Sequence, residues 1–276
     1  LPDITTLTVV VAAGAGAVAG CLGALLGIGG GVFLVPFLNA ALGLPISVAS
    51  GVGLMTVIAT SSVVSAGASG KGLINLRLGM VLQIAAAAGG LVGGVTVVHL
   101  PVRALYVVFS TVTAAIALIM LSRLERRNVI LDRPAEVGRF GGRFYEGESG
   151  QEVAYRMKRL PLALAVSLAA GSVSGLLGIG GGILQVPVLN AWCGIPLRAA
   201  AATSAVMIGV TAVASAPLYY ARGAVLPALA AAAVLGVLAG SRAGFWIGVR
   251  ARAKWLKLLM ACVLAAVSAT YLLKAL

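Results

Sequence analysis

The sequence predicts an all-α polytopic membrane protein made of two homologous halves, each of about four full-length helices plus one short broken or re-entrant helix. Three observations carry the prediction. First, the chain is 61% hydrophobic and only 10% charged, with a mean hydropathy of +1.09, whereas soluble domains carry roughly 25% charged residues. Second, uncharged apolar runs of about 20 residues recur along it, the length of a transmembrane helix. Third, one phrase is written twice. Gly27-Ile28-Gly29-Gly30-Gly31-Val32-Phe33-Leu34-Val35-Pro36-Phe37-Leu38-Asn39 returns as Gly178-Ile179-Gly180-Gly181-Gly182-Ile183-Leu184-Gln185-Val186-Pro187-Val188-Leu189-Asn190, 151 positions later.

The first apolar run, about 6–26, is rich in small residues (Gly14, Gly16, Gly20, Gly23), which let membrane helices approach closely. It has neither a basic leader nor a clear cleavage site and is read as a membrane segment rather than a signal peptide. The glycine break follows. The next run, 32–42, has eleven residues and at ~1.5 Å per residue is too short to cross alone. A turn at Gly43-Leu44-Pro45 leads to a third run, 46–68, carrying Ser47, Ser50, Thr56, Thr60, Ser61, Ser62 and Ser65. Gly70-Lys71-Gly72 marks a loop, 76–98 a glycine-rich fourth run, His99-Leu100-Pro101 a turn and 102–121 a fifth run. Between Arg123 and Arg159 the chain turns polar, with nine basic and six acidic residues. The order then repeats: 160–177, the second break, a short run 183–192, then 197–220, 225–249 and 255–273.

The repeat extends past the phrase. At the same offset Gly20 falls on Gly171, Gly43 on Gly194, Pro45 on Pro196, Gly72 on Gly223, Gly89 on Gly240 and Gly93 on Gly244. The implied division is an N-terminal transmembrane repeat, 1–123, a charged cytoplasmic linker, 124–159, and a C-terminal transmembrane repeat, 160–276. Four crossings per half would make the halves parallel, and five would make them inverted. The basic residues Arg250, Arg252, Lys254 and Lys257 share the linker's side only in the inverted arrangement, and basic loops belong inside, so inverted repeats are favoured.

The paired breaks are where chemistry is expected. Unpaired backbone groups inside a bilayer cost several kcal/mol each, so consecutive glycines there must line a cavity or meet a partner. Broken helices at matching places in two halves mark the binding sites of secondary transporters. A helix that restarts after glycines presents free N–H groups and its positive dipole end, which bind anions. The alternative is that the glycines only let helices cross closely. The candidate substrate-binding groups are Gly29, Gly30 and Gly31 with Gly180, Gly181 and Gly182.

Side chains extend the list. Gln185, whose counterpart is Leu34, adds polarity to one half only. Asn39 and Asn190 close the two phrases and either bond exposed backbone or face the ligand. Thr203 and Ser204 could offer hydroxyls, as could Ser61, Ser62 and Ser65, although membrane Ser and Thr more often bond their own helix. Arg242 lies inside an apolar run with no carboxylate to pair with, so it either meets the ligand or snorkels to the interface. Arg77, Arg198 and Arg222 read as topology anchors and His99 as an interfacial residue.

Other classes are poorly supported. Six of the seven acidic residues lie between 125 and 152 and the seventh is Asp3, so no carboxylate sits in an apolar run to carry a cation or proton. The net charge of +13 reflects basic loops, and no aromatic-basic platform suggests nucleic acid. Gly27-x-Gly29 precedes a membrane segment rather than a βαβ unit, and no Walker Lys follows. Cys21, Cys193 and Cys262 lack metal spacing, and no nucleophile–base set is found. No catalytic residue, metal or cofactor is expected.

A duplicated Gly-x-Gly-Gly-Gly-x-x-x-x-Pro phrase ending the first helix of each half resembles the sulfite exporter TauE/SafE family, over nearly all of both halves. The resemblance implies a transporter of small anions, mainly sulfite, sulfoacetate and other sulfonates, in the cytoplasmic membrane of a bacterium or archaeon, and mostly export. The expected partners are a small anionic substrate, the lipid bilayer and a second copy in a homodimer, but no nucleic acid. The alternatives are an anion channel of the same fold and, further off, a non-transport membrane subunit.

Overall fold

The computed structural model describes residues 6–70, 72–122, 138–146, 151–250 and 253–275. Asp3, Lys71, most of the acidic part of the linker (123–137 and 147–150) and Arg252 lie outside the described residues. The element order is α1 (Thr6–Leu26), α2 (Gly31–Ala41), α3 (Ile46–Ser69), α4 (Leu76–Thr96), a 3-10 turn (Val97–His99), α5 (Val102–Ser122), β1 (Gly142–Glu146), β2 (Gln151–Tyr155), α6 (Leu160–Leu177), α7 (Gly182–Ala191), α8 (Leu197–Ala221), α9 (Pro227–Arg250) and α10 (Ala253–Ala275). These helices stand where the apolar runs predict them.

The punctuation is local. Pro45 and Pro196 precede α3 and α8 with φ of −52° and −56°, the fixed torsion that suits a helix start. Asn75 caps α4, accepting the Leu78 N–H at 3.1 Å. Among the described residues, six helices (α1, α3, α4, α6, α8 and α9) are long and apolar enough to cross a membrane. The helices α5 and α10 have 21 and 23 residues, but their described apolar stretches are shorter, Val102–Ala115 and Ala261–Lys274.

Burial separates centre from periphery. The apolar windows of α3 and α8 are 72% buried, against 39–44% for the other four, so α3 and α8 are the central pair. They run antiparallel: Gly51 packs on Ala224 just past the end of α8, while Ser61 donates to Ala205 O at 2.6 Å and packs on Gly209. The pair α5 and α10 is antiparallel too, with Ser110 donating to Ser268 O at 3.1 Å and Tyr106 against Tyr271.

The outer helices exchange partners between halves. Along α9, Gly236, Gly240 and Gly244 sit on the backbones of Ala13, Ala17 and Cys21 of α1, both numbers rising together, so these two helices are parallel. Gly89 and Gly93 of α4 sit in the same way on Leu168 and Ser172 of α6. A methyl group at any of these glycines would overlap a carbonyl oxygen of the facing helix. The glycines at intervals of four thus allow backbone-to-backbone packing, which holds helices together where lipid removes the hydrophobic drive.

One element departs from the expectation of an all-α chain with an aqueous linker. β1 and β2 form an antiparallel hairpin, with Phe144 opposite Val153. Phe144, Val153 and Tyr155 are buried against Ala68, Leu78, Cys193 and Ile195 at one end of the bundle, while Arg143, Tyr145 and Glu152 face away from that core. Asn75 is the anchor: its Nδ2 donates to Phe140 O at 2.9 Å and Gly141 O at 3.1 Å and lies 3.3 Å from the Tyr155 hydroxyl. Burial raises the Tyr155 phenol above its usual 10.0, with the Asn75 bond pulling the other way. Beside the hairpin, Lys158 N–H donates to Cys193 O at 2.9 Å. Burial pushes the Cys193 thiol up to about 11, against the pull of Arg159. Cys193 is therefore a protonated packing residue at neutral pH.

Candidate functional site

Each break begins as the last turn of a long helix unwinds. Gly27 and Gly29 have φ of +69° and +85°, and Gly178 and Gly180 of +68° and +78°, values that side chains disfavour. The chain then folds back: Gly23 of α1 lies against Gly29 and Gly30, and Gly30 against the Ala19 backbone. The short helix runs away from the break along α3, with Gly31 beside Val57 and Val35 beside Gly53. In the second half, Gly181 lies against the Ala170 backbone in the same way.

The two breaks meet. A Cβ at Gly31 would lie 3.0 Å from Gly178 O, and one at Gly182 3.1 Å from both Gly27 O and Ile28 O. The breaks therefore cross back to back between α3 and α8, which lock them from either side: Gly27 packs on Ala201, Gly178 on Ser50, and Ser50 Oγ donates to Leu177 O at 2.8 Å. Neither Gly30 nor Gly181 supplies a capping side chain. Phe33 and Leu34 N–H bond to Gly30 O, and Leu184 and Gln185 N–H bond to Gly181 O. The N–H groups one turn earlier have no intrahelical acceptor, as at any helix N-terminus, and carry the positive end of the helix dipole.

Two apolar side chains cover the breaks. Val57 of α3 faces Gly29, Gly31 and Gly180, and Ile208 of α8 faces Gly29 and Gly180. Both are buried. Sequence reasoning missed them, although they stand at the offset of 151 that relates the two phrases. It also missed Thr60, whose Oγ1 would lie 3.2 Å from a Cβ at Gly30 and donates to Thr56 O.

The structure brings some of the predicted side chains together. Gln185 lies in the first turn of α7, 1% exposed, and its Oε1 accepts from Ser204 Oγ at 3.0 Å. Gly29, Gly30, Gly31, Gly180, Gly181, Gly182, Gln185 and Ser204 thus form one neighbourhood. Thr203 is adjacent in sequence but buried toward α4 and the hairpin end, its Oγ1 accepting from Asn75 N–H at 3.0 Å. Ser61 bonds to α8 and Ser62 to its own helix at Ile58 O.

Three predicted residues stand elsewhere. Asn39 and Asn190 occupy the far ends of α2 and α7, where each Nδ2 closes the following turn, donating to Leu44 O at 2.9 Å and Ile195 O at 3.0 Å. The polar end of each phrase thus serves the turn, bonding the carbonyl of the residue that precedes Pro45 or Pro196. Asn39 also accepts from Lys274 Nζ. Arg242 is exposed on the outer face of α9, since Ser241 and Gly244 face α1. Its helix lies at the periphery of the bundle, and the exposed guanidinium points away from the central pair α3 and α8. Arg222, at the end of α8, donates to Gly94 O of α4 at 2.9 Å.

Comparisons with known proteins give the chain's family. The profile of the sulfite exporter TauE/SafE family matches residues 12–271. The chain is 25% identical over 256 residues to the "Probable membrane transporter protein YunE" of Bacillus subtilis (strain 168), covering 90% of this chain and 92% of that protein. No solved structure gave a significant match. Matched over nearly its whole length, both glycine breaks included, the chain belongs to the sulfite exporter TauE/SafE family of membrane transporters.

Proposed function

We propose that this protein is a secondary transporter that moves small sulfur-containing anions, sulfite or short sulfonates such as sulfoacetate, across the cytoplasmic membrane by alternating access. The observation that carries the reading is the back-to-back crossing of two uncapped helix N-termini at Gly30 and Gly181, with the buried Gln185–Ser204 pair beside the second. Such ends attract oxyanions, and no carboxylate from the apolar segments competes for them. Val57 and Ile208 over both breaks favour an occluded site over an open anion channel.

Alternating access follows if the halves are inverted repeats. Within a half, α1 and α2 fold back on each other, α2 and α3 run antiparallel, and tight turns join α3, α4 and α5. Five alternating elements are an odd number, so the second half starts reversed. Support comes from the counterparts α3 and α8, and α5 and α10, which pack antiparallel. The halves would then rock about the crossing of the breaks.

Sulfite flux in proteoliposomes tests the reading. Gly181→Leu is expected to abolish flux while the purified protein still runs as a monodisperse species. Gln185→Leu, which copies the buried Leu34 of the first half, is expected to raise the KM for sulfite about tenfold. Wild-type kinetics in both variants would remove the breaks as the substrate site.

A further inference from the structure

Two buried hydroxyls in the bundle have no hydrogen-bond partner among the described residues: Tyr271 of α10, packed on the rings of Tyr106 and Phe109, and Ser174, which stands beside a break. Thr56, Thr60, Thr113, Thr211 and Ser215 donate to carbonyls of their own helices, the usual way a membrane helix satisfies a hydroxyl. Ser50, Ser61 and Ser204 donate to a neighbouring element. Ser174 of α6 is 0% exposed, and its Oγ has no hydrogen-bond partner among the described residues, the Ala170 carbonyl four residues back included.

Its place on the helix tells where that hydroxyl is aimed. Ser174 is the counterpart of Gly23 at the offset of 151. A Cβ on Gly23 would run into the backbone of Gly29 and Gly30. The second half shares this geometry, because Gly181 meets the Ala170 backbone just as Gly30 meets the Ala19 backbone. By this correspondence the Ser174 side chain leaves α6 on the face that meets Gly180 and Gly181. A buried donor with no acceptor is costly, and this one is aimed at the place where α7 presents its free N–H groups.

We infer that Ser174 is a substrate-contacting, specificity-determining residue, whose O–H donates to an oxygen of the sulfite or sulfonate group held at the N-terminus of α7. The inference rests on the anion-transport reading above and assigns the charged group to one break. In the second half Ser174, Gln185 and Ser204 are polar, and their counterparts in the first half are Gly23, Leu34 and Gly53. The second break takes the oxyanion, while at the first the nearby Thr60 hydroxyl is already committed to Thr56 O.

The test combines thermal unfolding of purified protein, with and without sodium sulfite or sulfoacetate, and flux in proteoliposomes. In Ser174→Ala the melting temperature without ligand stays level or rises, since no bond is lost. The sulfite-induced rise in melting temperature shrinks, and the KM for sulfite increases roughly tenfold, the loss of one hydrogen bond to a charged group. Ser174→Gly, the residue of the first half, gives the same loss, and Ser174→Thr, which keeps the hydroxyl, recovers affinity. Unchanged sulfite affinity in Ser174→Ala and Ser174→Gly overturns the assignment. So does a lowered melting temperature with unchanged affinity, which would reveal a structural bond. A wild-type protein that is neither stabilised by these anions nor carries them fails the transport reading itself, and the assignment with it.

Discussion

At the scale of the residue, the glycines divide by what surrounds them rather than by their torsions. Gly43 and Gly178 have nearly the same φ, +62° and +68°. Nothing lies within 4 Å of a Cβ at Gly43, whereas one at Gly178 would overlap the backbone of Ser50. Gly43→Ala is expected to cost only the left-handed strain, about 1–2 kcal/mol. Gly178→Ala adds a collision that the antiparallel α3 cannot relieve, and is expected to cost more than ~3 kcal/mol. Thermal unfolding in detergent measures both, and equal melting temperatures would contradict the packing of the second break on α3. The asparagines carry a related lesson. Asn39 and Asn190 sit at matched places in two polar-looking phrases, and both amides are taken by the turns that follow.

At the scale of the element, the β-hairpin is the part of the fold that sequence reasoning left out. A period-two pattern is present in it: Phe144, Val153 and Tyr155 inward, Arg143, Tyr145 and Glu152 outward. It is too short, and too crowded with charge on either side, to stand out against helical runs many times its length. Docking makes it an element, since an isolated two-stranded hairpin is marginal in water. Asn75 joins three pieces at once, capping α4, holding the hairpin, and donating its own N–H to Thr203 of α8. In Asn75→Ala the cap alone is worth about 1 kcal/mol. The greater effect is expected on the hairpin, seen as faster trypsin cleavage at Arg143 or Arg156 under native conditions. An unchanged cleavage rate would mean that the apolar contacts of Phe144 and Val153 suffice to dock it.

At the scale of the whole molecule, the two halves are interleaved. α1 packs on α9 and α6 on α4, each contact crossing from one half to the other through glycines. Neither half could keep these faces buried alone, so the halves fold as one body. The proposed inversion has a direct consequence for topology. Ser69 and Tyr220 are exposed, lie at the ends of α3 and α8, and stand 151 positions apart. In a background without native cysteines, Ser69→Cys and Tyr220→Cys are expected to react with an impermeant maleimide from opposite sides of the membrane. Labelling from the same side would make the repeats parallel and remove the geometric basis for alternating access.

Membrane class, the duplicated phrase, the places of the breaks and the proposed sign of the ligand were legible in the chain itself. Each rests on a property carried along the backbone: apolar run length, glycines that interrupt a helix, and the lack of carboxylates in the apolar segments. Which groups share the candidate site was decided only by tertiary structure. Arg242 and Gln185 look alike in sequence, each a long polar side chain in an apolar segment, yet one faces outward and the other meets Ser204. Val57 and Ile208 were hidden as ordinary apolar residues until the antiparallel pairing of α3 and α8 set them over the glycines. The physical reason is that hydropathy is a sum over neighbours along the chain. A site between two crossed breaks depends on which face of each helix meets which, and close-packed glycines set that in three dimensions.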